Sequence, residues 1–468
     1  MIKTIIMAAG EGTRMKSNKS KVLHMLLNKE IIKYVKNASD FENSETIIIA
    51  GKNKSKLENL FPEVKIVEQK IGDNIPYGTG YAASLALDYI DDNDEVLILN
   101  GDIPLIKKES LESLIDYHTN SNSSCTILST LIDNPKGYGR IIRDQNGDFL
   151  RITEDRDLED KEQTINEINV GIYIFKARDL KESIKKIDSN NDQNELYLTD
   201  CVGILREDNK LVKAYVGDDF EQFYGINNKF ELYKAQRILQ NRINKEHMLN
   251  GVIIESPDTT FIEEGVEIGT DTVISGFVKI YGKTRIGKNC YIEGSSKINN
   301  STIEDNVRID NAVIEDAYME KNSDIGPFAR LRPNSHIGEN VHIGNFVEVK
   351  NSNIGKNTKV GHLAYVGDSD LGQNINIGCG VVFVNYDGKY KHRSIIEDGA
   401  FIGSNANIVA PVRVHKEGFV AAGSTITEDV SSGELIIERA EQKHIKGYVE
   451  RKKRKIGVVR SSNVKYSK

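Results

Sequence analysis

The chain has 468 residues, a formal net charge of −7, 28% charged side chains and four cysteines, at a mean hydropathy of −0.42. That length exceeds what one core usually spans, so two domains are expected; no stretch approaches the ~20 apolar residues of a membrane helix, and the acidic balance argues against a general nucleic-acid binder. Cys125, Cys201, Cys290 and Cys379 lie far apart without Cys-x-x-Cys spacing, which argues against disulfides and zinc and makes the reducing cytoplasm the expected compartment.

The opening run from Met1 to Gly10 is short, apolar and ends in glycine, so it reads as a first strand and not as a signal peptide. Up to residue 225, apolar runs at 47–50, 96–99, 127–128 and 171–175 alternate with amphipathic stretches at 21–36 and 111–120. That alternation predicts an α/β domain with a buried, mostly parallel, Rossmann-like sheet. Directly after the first strand comes Ala8-Ala9-Gly10-Glu11-Gly12-Thr13-Arg14-Met15. Two near-adjacent glycines let backbone amides close around a phosphate, and Arg14 with Lys21 can supply the positive charge a triphosphate needs. A Gly-x-Gly also suits a plain strand-to-helix turn, and this one lacks both the Walker ending and the third glycine of the dinucleotide fingerprint. Further along, Leu99-Asn100-Gly101-Asp102 sets a carboxylate just past a buried strand, at the edge where open α/β sheets bind ligands. Such an Asp can be a mere turn former; after a phosphate loop it is a candidate Mg²⁺ ligand.

Between residues 228 and 250, Phe230, Leu232, Ala235, Ile238, Leu239 and Ile243 recur at helical spacing among charges, which predicts a linking helix. Beyond it, aliphatic residues recur every sixth position: Ile268 to Ile298, Ile325 to Val349, and Ile396 to Ile426. Six helical residues turn through about 600°, so this ladder cannot form a helical stripe. A β-meander would show Asn-Gly turns and alternation. A solenoid of short parallel strands, the hexapeptide β-helix, accounts for the period. Gly follows the aliphatic residue at 269, 287, 326, 338, 344 and 403, which suits tight corners. The expected domains are residues 1–227 and 251–468 with the helix between them, and the basic run 451–455 reads as a solvated terminus.

Within the solenoid, Gly361-His362-Leu363-Ala364-Tyr365 carries a histidine suited to act as a base near neutral pH. His336 and His342 also stand six apart but precede corners, so they are expected to face solvent without binding metal. Residues 384–394 break the six-residue count and must loop out, which on a repeat fold is where binding usually happens.

Ala8 to Met15 with Lys21, then Gly78-Thr79-Gly80, Asn100-Gly101-Asp102, Gly137-Tyr138-Gly139-Arg140, Glu154, Asn169 and Gly225-Ile226-Asn227-Asn228, resemble the sugar-1-phosphate nucleotidylyltransferases. With the solenoid added, nearly the whole chain resembles the bacterial bifunctional N-acetylglucosamine-1-phosphate uridylyltransferases and glucosamine-1-phosphate N-acetyltransferases. The resemblance implies an α/β nucleotidylyltransferase domain followed by a left-handed parallel β-helix. It implies that the loop from Ala8 through Gly10 and Gly12 to Thr13 binds UTP, that Arg14 and Lys21 stabilise the transferring group, and that Asp102 and Asn227 share one Mg²⁺. Gly78, Thr79, Asn100, Gly101, Gly139, Glu154 and Asn169 would hold nucleotide and sugar. Such chemistry needs in-line positioning and charge neutralisation more than a strong base, because the attacking sugar phosphate is already anionic.

In the second half, the resemblance makes His362 the catalytic base, Arg332 and Lys350 the phosphate cations, and Tyr365 and Asn376 the sugar contacts. Cys379, Asn385, Tyr386, Ser404, Ala422 and Arg439 match acetyl-CoA contacts, Cys379 standing where Ala is common. It further implies a homotrimer with acetyltransferase sites between subunits, and acetylation before uridylyl transfer, feeding peptidoglycan and lipopolysaccharide precursors. Three departures stand out. Ser20 replaces a common Pro; Glu11 puts a negative charge inside the phosphate loop; and residues 73–77 occupy the stretch where a uracil-contacting Gln is usual, Gln69 lying further back. Two rival readings remain: a one-activity nucleotidylyltransferase whose solenoid only oligomerises it, against which the His362 group argues, and a non-catalytic assembly subunit, against which Arg14, Lys21, Asp102 and Asn227 argue.

Overall fold

A computed structural model of the protein describes residues 1–70, 72, 75–188 and 195–462, with side chains to residue 456. The chain divides into two compact units, Met1–Ile243 and Asn244–Lys468. Among the described residues, no helix is long and apolar enough to cross a membrane.

In the first unit, seven strands of a nine-stranded sheet lie in the spatial order Val212–Val216, Cys125–Leu131, Glu167–Lys176, Glu95–Asn100, Ile2–Ala8, Ser44–Ala50 and Lys65–Glu68. Only Glu167–Lys176 runs antiparallel to its neighbours on this path. A hairpin of Arg140–Arg143 and Phe149–Thr153 completes the sheet. The aliphatic runs are continuous because both faces are covered: Ile5, Ile47 and Ile98 pack on one side, while Ile6, Ile48 and Leu99 pack on the other. Ile2–Ala8 and Glu95–Asn100 run parallel with Met7 opposite Asn100. Their carboxyl ends therefore deliver the loop after Ala8 and the turn at Gly101-Asp102 to one edge of the sheet.

The stretch 21–36 is not the single helix its amphipathic pattern predicts. It divides into a 3-10 turn at Lys21–Leu23, two short paired strands at Met25–Leu26 and Lys29–Glu30, and a helix at Ile31–Ala38. The chain reverses at Leu27, whose φ is 51°. That reversal lets Leu26, Ile31 and Tyr34 bury together with Ala235 of the linking helix, and the Tyr34 hydroxyl donates to the Leu26 carbonyl at 3.0 Å.

The linking helix spans Lys229–Leu249, and the division between units falls inside it. Leu232, Ala235, Ile238 and Leu239 form its packed face. Phe230, which the spacing assigns to that face, is instead 64% exposed and stacks on Tyr233.

The second unit is a left-handed parallel β-helix of three parallel sheets with eleven, ten and nine short strands among the described residues, each strand pairing with the one three further along except at the end, where Phe419–Val420 pairs with Leu435–Ile436, two further along. The six-residue ladder is its inward column: Ile274, Ile292, Ile309, Ile325 and Ile343 stack in one sheet and are buried. Where the predicted registers break, the coils are shorter, with Ile298 on Ile314 and Ile303 on Met319.

The corners use different chemistry from that predicted. Asn289, Asn306, Asn322, Asn340, Asn357 and Asn374 take the left-handed backbone conformation, which Asn tolerates better than other side chains. Their amides form a ladder, Asn340 donating to Asn357 at 3.2 Å and Asn357 to Asn374 at 3.1 Å. Among the glycines that follow the aliphatic positions, only Gly326 has a positive φ. The rest serve close packing between coils: a Cβ on Gly338 would stand 2.8 Å from the Ile354 carbonyl oxygen. The basic run 451–455 lies within a helix at Tyr448–Ser462 and is exposed, as a solvated terminus would be.

Candidate active sites

The loop after the first strand is shaped by Gly12, whose φ is 61° and whose missing Cβ would stand 2.8 Å from the Lys21 Cβ. Lys21 opens a 3-10 turn whose Val22 and Leu23 are buried, so its own side chain is free to face the sheet edge. There its ammonium pairs with the Asp102 carboxylate and donates to Asn227 Oδ1 at 3.3 Å, which Arg14 also reaches at 3.0 Å. The four charged or metal-binding residues read from separate sequence motifs thus meet at one point.

Asn227 is held by the start of the linking helix. The Asn228 side chain accepts from the Glu231 backbone N–H at 2.9 Å, while the Glu231 carboxylate accepts from the Asn227 N–H at 2.6 Å, a reciprocal cap. Asp102 is tied to the same segment through the Ile226 N–H, 2.9 Å from its carbonyl. The Asp102 carboxylate and the Asn227 amide oxygen are two hard donors facing a position where a cation, the Lys21 ammonium, already sits. Among the described residues no cluster of three His, Cys, Asp or Glu could hold a metal. Two protein oxygens completed by phosphate and water fit Mg²⁺.

Beside this point lies a cavity of about 310 Å³ lined by Ala8, Ala9, Gly10, Thr79 and Asn100, together with Gln69. Gln69 sits one residue past the strand Lys65–Glu68, is 4% exposed and donates its N–H to Ala50 at 2.7 Å. Its separation from Gly78 along the chain is therefore no obstacle to its lining the same cavity. Of residues 73–77, 73 and 74 lie outside the described residues, while Tyr77 borders the cavity. Gly78 is obligatory, since its φ is 116° and a Cβ would stand 2.8 Å from the Leu196 backbone nitrogen. The Thr79 hydroxyl accepts from the Leu198 N–H at 3.0 Å. Glu11, the charge that looked unfavourable, is offset by pairing with Lys52 at 2.6 Å while it still lines the cavity of Gly12, Arg14 and Lys21.

The predicted sugar contacts also gather. Asn169 donates its N–H to the Gly139 carbonyl at 2.8 Å, and the Glu154 carboxylate lies 3.4 Å from where a Gly139 Cβ would be. Burial, followed by Asp157, Asp200 and Asp155, pushes the Glu154 carboxyl above its ordinary range.

In the solenoid, Arg332 pairs with Glu348 at 3.0 Å, and Glu348 stands opposite Tyr365 in the sheet. Lys350 is held below the usual amine range by the close approach of the Lys391 ammonium, by partial burial and by the charge of Arg332. Arg332 and Lys350 are half-exposed and Lys391 is exposed, so all three are open to an anion. Lys391 was missed because it belongs to the looped-out segment, whose position the repeat does not dictate. Asn385 donates to the Tyr365 hydroxyl at 3.4 Å and to Asp368 at 2.5 Å, so the base of that segment is fixed to the predicted sugar contact. Asn376 lies on an outward face, opposite Lys359 and Phe401.

Four of the predicted residues form a column. His362, Cys379, Ser404 and Ala422 each precede a corner residue on successive coils. Those corners are stitched together: Gly380 N–H to Leu363 at 3.1 Å, Asn405 N–H to Cys379 at 2.7 Å, and Gly423 N–H to Ser404 at 2.8 Å. Arg439 extends the column, its Cδ 3.9 Å from where a Gly423 Cβ would stand. His362 is exposed at one end. Tyr386 is exposed on the loop, its hydroxyl donating to Gly388 at 2.7 Å. His336 and His342 are half-exposed on different sheets and pair with Glu320 at 2.8 Å and Asp324 at 2.6 Å.

Residues 3–234 match the Nucleotidyl transferase family, and residues 313–436 match the GMPPB C-terminal domain. The "Bifunctional protein GlmU" of Clostridioides difficile strain 630 is 46% identical over 97% of this chain and 98% of its own length. The chain belongs to the GlmU family. GlmU proteins of Limosilactobacillus reuteri (44% identical over 96% of this chain and 98% of its own) and Enterococcus faecalis (45% over 96% and 97%) match as fully. Both units of the chain therefore fall within its likeness to GlmU proteins.

Proposed function

We infer that this chain makes UDP-N-acetylglucosamine, a cell-wall precursor, by acetylating glucosamine-1-phosphate from acetyl-CoA and then transferring UMP from UTP to N-acetylglucosamine-1-phosphate with release of pyrophosphate. The observation that carries this reading is that each unit holds its own complete set of polar groups: Arg14, Lys21, Asp102 and Asn227 in the first, and the His362 column with Arg332, Lys350 and Lys391 in the second.

In acetyl transfer, Arg332, Lys350 and Lys391 hold the sugar phosphate, and His362 takes the proton of the attacking amine as the tetrahedral centre forms at the thioester carbon. The coenzyme lies along Cys379, Ser404, Ala422 and Arg439, with Asn385 and Tyr386 beside it. In uridylyl transfer, Gly10 and Gly12 give backbone amides to the triphosphate, while Arg14 and Lys21 neutralise charge growing at the α-phosphorus. Gln69 offers the uracil edge a donor and an acceptor. Asp102 and Asn227 would hold Mg²⁺, which would supply charge neutralisation at the phosphates.

Exposed Phe328 and Phe346 stack at 5.7 Å, and exposed Leu363 continues that corner beside His362. This apolar ridge supports assembly as a homotrimer, with copies covering the ridge next to the acetyl-transfer site. Light scattering should give three times 52.4 kDa. All four cysteines are free, in keeping with a cytoplasmic enzyme.

The deciding experiment is a split assay. Free CoA is followed from acetyl-CoA plus glucosamine-1-phosphate, and pyrophosphate from UTP plus N-acetylglucosamine-1-phosphate, in wild type, Asp102→Ala and His362→Ala. Each substitution should silence only its own reaction. Wild type that releases pyrophosphate but no CoA would reduce the solenoid to a scaffold.

A further inference from the structure

We propose that Tyr77 is a nucleotide-binding residue, its ring forming the wall that joins the base side of the UTP site to the phosphate side. The inference rests on the uridylyl-transfer reading of that site.

Tyr77 lines two adjoining cavities. One holds Ala9, Gln69, Thr79 and Asn100; the other, of about 470 Å³, holds Gly12, Arg14, Lys21 and Asn227. Gly10 and Lys21 border both cavities as well, so a nucleoside triphosphate whose base meets Gln69 and whose phosphates meet Arg14 must pass these three residues, of which Tyr77 alone offers a ring. The backbone there is fixed from two sides: the Tyr77 carbonyl accepts from the Leu196 N–H at 2.8 Å, and the Leu196 carbonyl accepts from the Gly80 N–H at 2.7 Å. Because Gly78 brings these segments into contact, the ring is anchored at the cavity mouth while remaining 37% exposed, open to a ligand.

The phenol suits a site for an anion. Partial burial, then the Glu195 and Glu11 carboxylates, raise its pKa above the ordinary value. It therefore stays neutral where the enzyme works and adds no charge against the phosphates. A flat, neutral ring can lie along the nucleoside without reading its edge, as aromatic platforms do for bases elsewhere. Gln69 reads the edge, and Tyr77 supplies surface.

The test measures KM for UTP and for N-acetylglucosamine-1-phosphate, with UTP binding by calorimetry, in wild type, Tyr77→Phe and Tyr77→Ala. Tyr77→Ala should raise KM and Kd for UTP about tenfold, the loss of one stacked ring, and leave KM for the sugar phosphate within about twofold. Tyr77→Phe should stay near wild type for both. Acetyl transfer by the second unit, unchanged in both variants, certifies the folded chain. A Tyr77→Ala enzyme with wild-type UTP affinity overturns the proposal, as does a Phe variant as weak as Ala, which would move the interaction from ring to hydroxyl. Wild type that neither binds UTP nor releases pyrophosphate would instead defeat the parent reading.

Discussion

Lys21→Met should push metal binding and catalysis in opposite directions. The Lys21 and Asp102 side chains are only 16% and 18% exposed and in direct contact, and the same ammonium lies 3.3 Å from Asn227 Oδ1. Lys21 thus occupies the space a metal would share with those oxygens. A divalent ion and a unit charge about 4 Å apart repel by roughly 8 kcal/mol at the effective dielectric of a partly buried site. If solvent and side-chain movement offset five sixths of that repulsion, removing the ammonium strengthens divalent-ion binding by about 1.4 kcal/mol, or about tenfold. The transition state loses a fixed positive charge at the α-phosphorus, which costs about 10²- to 10³-fold in kcat. Met keeps the length and apolar stem of Lys, so packing changes little. Mn²⁺ binding can be read by electron paramagnetic resonance, uridylyl transfer by pyrophosphate release, and acetyl transfer by CoA release as the folding control. A merely structural lysine would weaken metal binding and catalysis together. That joint weakening, or a kcat within tenfold of wild type, would refute the reasoning.

Three further outcomes are expected. Lys350→Met should raise KM for glucosamine-1-phosphate about tenfold, with little change in KM for acetyl-CoA; equal changes in both would argue for lost structure. Glu154→Gln should melt higher than wild type near pH 8. Its carboxyl is pushed above the ordinary value of 4.5 by burial first and then by Asp157, Asp200 and Asp155, so the folded state holds its proton more tightly than the unfolded state. Stability is consequently lost as pH rises from 4.5 through the folded pKa, and Gln removes that loss; a melting advantage that persists undiminished below that window would refute it. Chelation with EDTA should abolish pyrophosphate release and spare CoA release, and loss of both would sink the assignment of metal to the first unit alone.

What was legible in the sequence follows from which distances a repeat or a strand end dictates. The six-residue ladder fixed the solenoid because inward stacking is its only way to bury an isolated aliphatic residue in every short strand. The strand-end rule placed Asp102 at the ligand-binding edge of the sheet, while Arg14 and Lys21 were legible as cations for a phosphate loop. Residues 21–36 were misread because an amphipathic period cannot register a two-residue reversal such as that at Leu27. The corner glycines were assigned to backbone conformation, yet Asn289, Asn340 and Asn405 turn three of those six corners and Gly338 answers instead to the approach of Ile354.

Gln69 carries the sharpest lesson. Counted along the chain it lies too far from Gly78 to serve the base, but it follows the strand Lys65–Glu68, which pairs with Ser44–Ala50, which pairs in turn with Ile2–Ala8. All three strands are parallel, so their carboxyl ends share the edge that bears the phosphate loop, and an insertion between Gln69 and Gly78 need not move either end. The rule that located Asp102 was enough to locate Gln69. Lys391 had no such rule: it sits on a loop that leaves the repeat, and only the fold of that loop onto Asp368 and Tyr365 brings its charge to Lys350. Residues on strand ends can therefore be assigned from topology, whereas residues on insertions need the coordinates, and in this chain each active site draws on both kinds.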